Sequence, residues 1–250
     1  MVKGIEVFKK YFGSYTGQYV FIGGTACDII LGTKNVEFRA TKDFDMVLII
    51  EALNEEFVNT FISFIKAGGY QHINKGTGKN QFYRFSKPTN DQYPVMIELF
   101  CRKPDYIKSL GTSLGPIHIS DDVLSLSAIL LDNEYYELLR NGAIDVDGVS
   151  VLDIEYLILF KIKAWLDLSE RKLNGEKVDS KNIKKHKYDV IRLVINLEPE
   201  SKIGISGQVK NDAELFFEKI ESEPFDLKNL GIRISIEDII SRAKQCFNLE

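Results

Sequence analysis

The stretch DFDMVLII, residues 43–50, sets two carboxylates one residue apart at the head of a strongly apolar run. Read as a strand it puts Asp43 and Asp45 on one face, because side chains two apart point the same way. Like charges this close repel, and burial sharpens the repulsion, so a fold that keeps both must offer a cation, donors or solvent. A divalent ion is the simplest remedy: paired carboxylates suit Mg²⁺ or Mn²⁺ held jointly with substrate phosphates. The alternative is that one aspartate caps a turn while the other faces water at the strand entrance.

Two neighbouring segments bear on this choice. Upstream, YVFIGGTACDIILG reads as a strand running into Gly23, Gly24 and Thr25 and then a helix. Glycines at such a turn let backbone N–H groups approach an anion, and the helix dipole favours negative charge there; a double glycine can also be only a turn. Downstream, VMIELFC places Glu98 inside an apolar strand. A carboxylate there must face a metal or be paired, and Arg84 and Arg102 are the candidate partners.

With 44% hydrophobic and 27% charged residues among 250, the chain can bury a substantial core, and its net charge of −4 excludes a globally basic nucleic-acid binder. Cys27, Cys101 and Cys246 are odd in number and widely spaced, which fits neither a disulfide framework nor a metal knuckle and points to a reducing, cytoplasmic setting. No uncharged apolar run approaches the roughly 18 residues of a membrane span, and the N-terminal segment reads as an amphipathic helix rather than a signal peptide. No membrane is expected as a partner.

The pattern changes near residue 150. Before it, strand-like runs at 19–22, 43–50, 80–86 and 95–101 alternate with helical spacing, notably at 55–68, which predicts an α+β domain over 1–150 with a mixed sheet flanked by helices. After it, 154–172 and 179–197 show helical periodicity, with Asp179 or Ser180 able to cap the second helix, and further helices are predicted around 213–220 and from 235. Residues 151–250 are therefore expected to form a helical unit. NKGTGKN at 74–80 lacks the spacing of a phosphate-binding P-loop and reads as a hairpin loop, with Lys79 in it.

On the helix through 154–172, Lys161 falls on the stripe of Ile154, Leu157, Ile158, Trp165 and Leu168. Either its stem snorkels past the apolar edge to water, or its ammonium enters a polar site. On the next helix Asp189 borders the stripe of Val190, Ile191, Val194 and Leu197; a surface ion pair with Lys185 is the plain reading. His186, on the same helix, is read as solvated. Arg171, Lys172, Lys177, Lys181, Lys184, Lys185, Lys187 and Arg192 make this stretch locally basic.

A strand, Gly-Gly-Thr, a helix, a DxD strand and a later strand with one acid together resemble the nucleotidyltransferase superfamily of polymerase β-like fold. IGGTACDIILG, FRATKDFDMVL, KIKAWLDLSERK and KKHKYDVIRLV resemble the AbiEii type, the toxin component of type IV toxin–antitoxin and abortive-infection systems. The resemblance touches residues 18–50 and 155–195. It implies metal-dependent transfer of NMP from a nucleoside triphosphate to a hydroxyl acceptor, RNA and in particular tRNA, with a cognate antitoxin protein as partner. Asp43, Asp45 and Glu98 would hold the metal, and Gly23, Gly24, Thr25, Arg39, Thr41 and Lys161 would contact the nucleotide. Asp189 would serve the acceptor hydroxyl, so that the helical unit completes the active site. The alternatives are an antibiotic-type small-molecule adenylyltransferase and a catalytically silent binding protein of the same fold. The chain departs from the pattern at Lys185-His186-Lys187, where an acid is usual, and in TKNVEFRATK, an insertion expected to add a turn or short strand.

Overall fold

The computed structural model describes residues 2–39, 41–75, 82–102, 132–223, 225, 227–228 and 231–249. The chain divides into two compact units, Met1–Asp153 and Ile154–Glu250.

The first unit is built on a seven-stranded sheet of order β3-β4-β5-β2-β1-β7-β6. Its strands are β1 (Tyr19–Phe21), β2 (Asp43–Leu48), β3 (His72–Lys75), β4 (Phe82–Ser86), β5 (Met96–Cys101), β6 (Ala143–Val146) and β7 (Val149–Leu152). β2 runs parallel to β5 and β1 parallel to β7, while the other neighbours are antiparallel, so the sheet is mixed as the sequence predicts. The helices among the described residues of this unit are α1 (Ile5–Phe12), α2 (Gly23–Thr33), α3 (Glu55–Gly68) and α4 (Asn133–Asn141).

The central strands β1 and β2 are buried over most of their length, which is why they read as continuous apolar runs. Phe8 and Phe12 of α1 meet Tyr19, Phe21, Phe44 and the Phe57 and Phe64 rings of α3 at centroid separations of 4.9–6.3 Å. These large, mostly edge-on contacts fix α1 and α3 on the sheet. Helix α3 begins where Asn54 accepts the Phe57 N–H at 2.8 Å and ends at Gly69, whose φ of +62° closes the last turn.

The insertion before the acids adds a turn, as expected, at Lys34-Asn35 with Asn35 at φ +56°. Other features differ from the sequence reading: β2 stops at Leu48 rather than at residue 50. The hairpin β6–β7 was hidden in VDGVSVLD. Its two-residue turn has Asp147 and Gly148 at φ +52° and +79°, the signature of an Asp-Gly hairpin. Of the hairpin predicted at 74–80, only the strands β3 and β4 lie within the described residues, and Lys79 lies outside them.

The second unit is helical: α5 (Ile154–Leu173), α6 (Ser180–Val194), α7 (Gly207–Glu221) and α8 (Ile236–Phe247). Asp179 caps α6 by accepting the Lys181 N–H at 2.9 Å. Trp165 of α5 meets Phe216 of α7 edge-on at 5.1 Å. No helix of the described residues is long and apolar enough to cross a membrane, and Cys27 and Cys246 are buried free thiols.

Candidate functional site

The acids sit where β1 hands over to α2. The Ile22 N–H donates to the Asp45 carbonyl at 2.9 Å, which brings the β1–α2 turn against β2. Gly23 then adopts φ +61°, and a Cβ there would lie under 3.0 Å from the Asp45 carboxylate, 2.9 Å from its Cγ. Only glycine allows backbone and carboxylate to approach so closely. The N-cap residue of α2, Ile22, has no side-chain oxygen to offer; the Gly24 N–H instead donates to Asp45 Oδ2 at 3.2 Å. Asp45 thus reaches across from β2 to supply an anionic acceptor at the positive end of α2.

Asp43 and Asp45 share a face of β2 and are half-buried, while Phe44 between them is fully buried on the other face. Thr25 is fully buried, and its hydroxyl donates to the Asp43 carbonyl at 2.5 Å. Expected as a triphosphate contact, Thr25 instead anchors α2 to β2. Thr41 and Arg39 stand beside Gly24: a Cβ on Gly24 would be 2.9 Å from Thr41 Oγ1 and 3.6 Å from Arg39 Nη2. The Arg39 guanidinium also lies 5.2 Å from the Phe38 ring centroid.

Glu98 joins them through strand register. Asp45 is paired with Glu98 across the parallel β2–β5 ladder, and Arg84 is paired with Glu98 across the antiparallel β4–β5 ladder. Of the alternatives raised by the sequence, the pairing with Arg84 is the one observed. Arg84 donates to Glu98 Oε1 from Nε at 2.9 Å and from Nη2 at 2.5 Å, and Asp45 lies on the other side. Burial first, then the Asp45 charge, push the Glu98 carboxyl up to about 7, against the opposing pull of Arg84. Arg102, the other candidate partner, bonds Asn133 and lies over the Tyr136 ring at 4.6 Å.

The described residues contain no group of three or more His, Cys, Asp or Glu side chains arranged to ligate a metal, and Glu98 Oε1 is turned onto Arg84. The donor chemistry nevertheless fits a hard divalent ion. Two half-buried carboxylates share a strand face, and the rise that burial and then the Asp45 charge impose on the Glu98 carboxyl is what an ion would relieve.

Comparison with solved structures finds an antigenic nucleotidyltransferase-like protein from Paracoccidioides brasiliensis, at 15% identity and a TM-score of 0.48, covering 97% of this chain and 91% of that one. It also finds the Megavirus polyadenylate synthase, at 11% identity and a TM-score of 0.42; the alignment covers 88% of this chain but 36% of the viral protein. No protein-family model matches the sequence, and no curated protein matches it. None of these comparisons shows the AbiEii type.

In the second unit Lys161 and Asp189 find each other. Lys161 Nζ lies 2.9 Å from Asp189 Oδ2, with side-chain exposures of 5% and 1%. Lys161 does not snorkel to water: it pairs with the buried Asp189, and Arg192 Nη1 lies further off at 3.9 Å. His186, read as solvated, is buried, because α6 turns that side inward with Val190 and Val194. A second pair went unread in the sequence: Lys163 Nζ to Asp212 Oδ2 at 2.8 Å, with Gln208 donating to Oδ1 of the same aspartate. Its partners lie 49 residues apart on two helices, and no local pattern marks them.

Proposed function

We propose that this protein is a metal-dependent nucleotidyltransferase that moves NMP from a nucleoside triphosphate to a hydroxyl of RNA. The observation that supports this best is that Asp45 reaches the glycine turn that opens α2 while sharing a strand face with Asp43 and a ladder position with Glu98. Asp43 and Asp45, with Glu98 once released from Arg84, would hold Mg²⁺ or Mn²⁺. When bound, the ions supply charge neutralisation at the α-phosphate and the departing pyrophosphate and lower the barrier to ionising the attacking hydroxyl.

The chain's own groups carry the rest. The start of α2 offers backbone N–H groups and a positive dipole to the triphosphate, with Gly23 and Gly24 allowing close approach. Arg39 and Thr41, beside Gly24, provide a cation and a hydroxyl for the same phosphates. Thr25 fixes the turn from within. An antitoxin partner and a toxin role follow from the resemblance alone, while Lys161 and Asp189, expected at the triphosphate and the acceptor hydroxyl, are engaged with each other in the interior of the helical unit.

The test is incubation with each of the four NTPs labelled at the α-phosphate, Mg²⁺ and total tRNA. Label enters the RNA with the native protein, and Asp45→Asn abolishes transfer while melting at an equal or higher temperature, because it removes one of two repelling charges. Label that enters only aminoglycosides overturns the RNA acceptor and leaves a small-molecule adenylyltransferase. No label anywhere, with no binding of Mg²⁺–NTP by calorimetry, overturns the enzyme and leaves a silent binding protein.

A further inference from the structure

Residues 171–192 carry eight Lys and Arg against three Asp and Glu, in a chain whose net charge is −4. The helix converts this run into a surface. Lys181, Lys184, Lys185, Tyr188 and Arg192 recur at intervals of three and four along α6, so they form one stripe. The opposite side of the helix carries the fully buried Val190, Ile191, Leu193 and Val194.

Two features separate this stripe from an ordinary solvated face. Cations beside the stripe are neutralised, Arg171 by Glu176 at 2.8 Å and Lys187 by Glu223, and within it Arg192 is met in part by Asp189. Lys181 and Lys184 remain exposed near the helix start. An aromatic ring also lies among the cations. Lys184 Nζ stands 5.5 Å and Lys187 Nζ 5.9 Å from the centroid of the half-buried Tyr188, which Phe225 meets edge-on at 5.9 Å.

We infer that this stripe of α6 binds a single-stranded polynucleotide, the lysines tracking its phosphates and Tyr188 offering a face to a base. Cations along a helix with an aromatic among them match both demands of single-strand binding, a charged track and a stacking platform. An anionic membrane is the poorer fit, because the apolar side of α6 is consumed in packing and cannot enter lipid. The inference rests on the RNA-transfer reading only for its purpose, since binding is measured without nucleotide.

The experiment is fluorescence anisotropy of labelled oligouridylate with the full chain over a range of salt. Native protein binds, and the logarithm of affinity falls linearly with that of salt. Lys181→Glu with Lys184→Glu, both at exposed positions, makes the slope shallower by about 1.4, from roughly 0.7 per lost phosphate contact. Tyr188→Ala lowers affinity about tenfold with the slope unchanged, as loss of one stacked base requires. Unchanged melting temperatures certify both variants as folded. The inference is overturned if native protein fails to bind in low salt, or if reversing Lys202, Lys219 and Lys244 weakens binding as much. It is equally overturned if polyglutamate or anionic vesicles compete as well as the oligonucleotide. Asp45→Asn keeps the binding whether or not transfer is lost, so failure of the catalytic reading and failure of this one are read separately.

Discussion

Replacing Gly23 with alanine tests the geometry that joins the turn to the acids. Two costs combine. At φ +61° an L-residue is strained by about 1–2 kcal/mol. The new methyl would also lie under 3.0 Å from the Asp45 carboxylate, so that side chain must move by about an ångström. Moving it breaks the bond from the Gly24 N–H to Oδ2, and α2 has no other side-chain cap, which costs about 1 kcal/mol more. The sum is about 2–3 kcal/mol, or roughly 5–10 °C in melting temperature for a chain of this size. Transfer should fall about a hundredfold or more, because an ångström at a reacting centre is worth that much. Gly148→Ala is the control: its φ is +79° but nothing lies within 4 Å of the added Cβ, so it pays the backbone strain alone. Thermal melts and initial rates of the two variants decide the matter. If Gly23→Ala is no less stable than Gly148→Ala and transfers label at the native rate, the close approach of turn and carboxylate is not what holds this site.

Two other perturbations follow from buried charge. Lys161→Met should destabilise the protein by about 3–5 kcal/mol in urea melts, by leaving Asp189 buried with its nearest cation gone, and adding Asp189→Leu should recover most of the loss. If the single and double variants are equally stable, the pair is not a coupled unit. The Glu98 carboxyl, ordinarily near 4.5, is held near 7, so the folded state binds its proton more tightly than the unfolded chain does. The stabilisation is complete below about pH 4.5 and is lost as pH rises towards 7, by up to about 3 kcal/mol in metal-free buffer. Glu98→Gln should flatten that part of the stability curve, and a slope identical to the native one would show the proton is held elsewhere.

How far the sequence reached depended on the range of the physics. The acid pair was legible because strand alternation alone puts Asp43 and Asp45 on one face, and the glycine turn because strand and helix patterns meet there. Capping at Asp179 and the helices of the second unit were legible for the same local reason. What the tertiary structure decided was pairing. Strand order sets Glu98 between Asp45 and Arg84, a choice the sequence could only frame, since β4 and β5 can be registered only once folded. The meeting of Lys161 with Asp189 spans 28 residues and two helices. The inward turn of His186 depends on which side of α6 the neighbouring helices cover. Periodicity and turn chemistry, written in consecutive residues, fixed the elements and the candidate residues. Partners of buried charges are set by contacts between distant segments, and no local pattern encodes them.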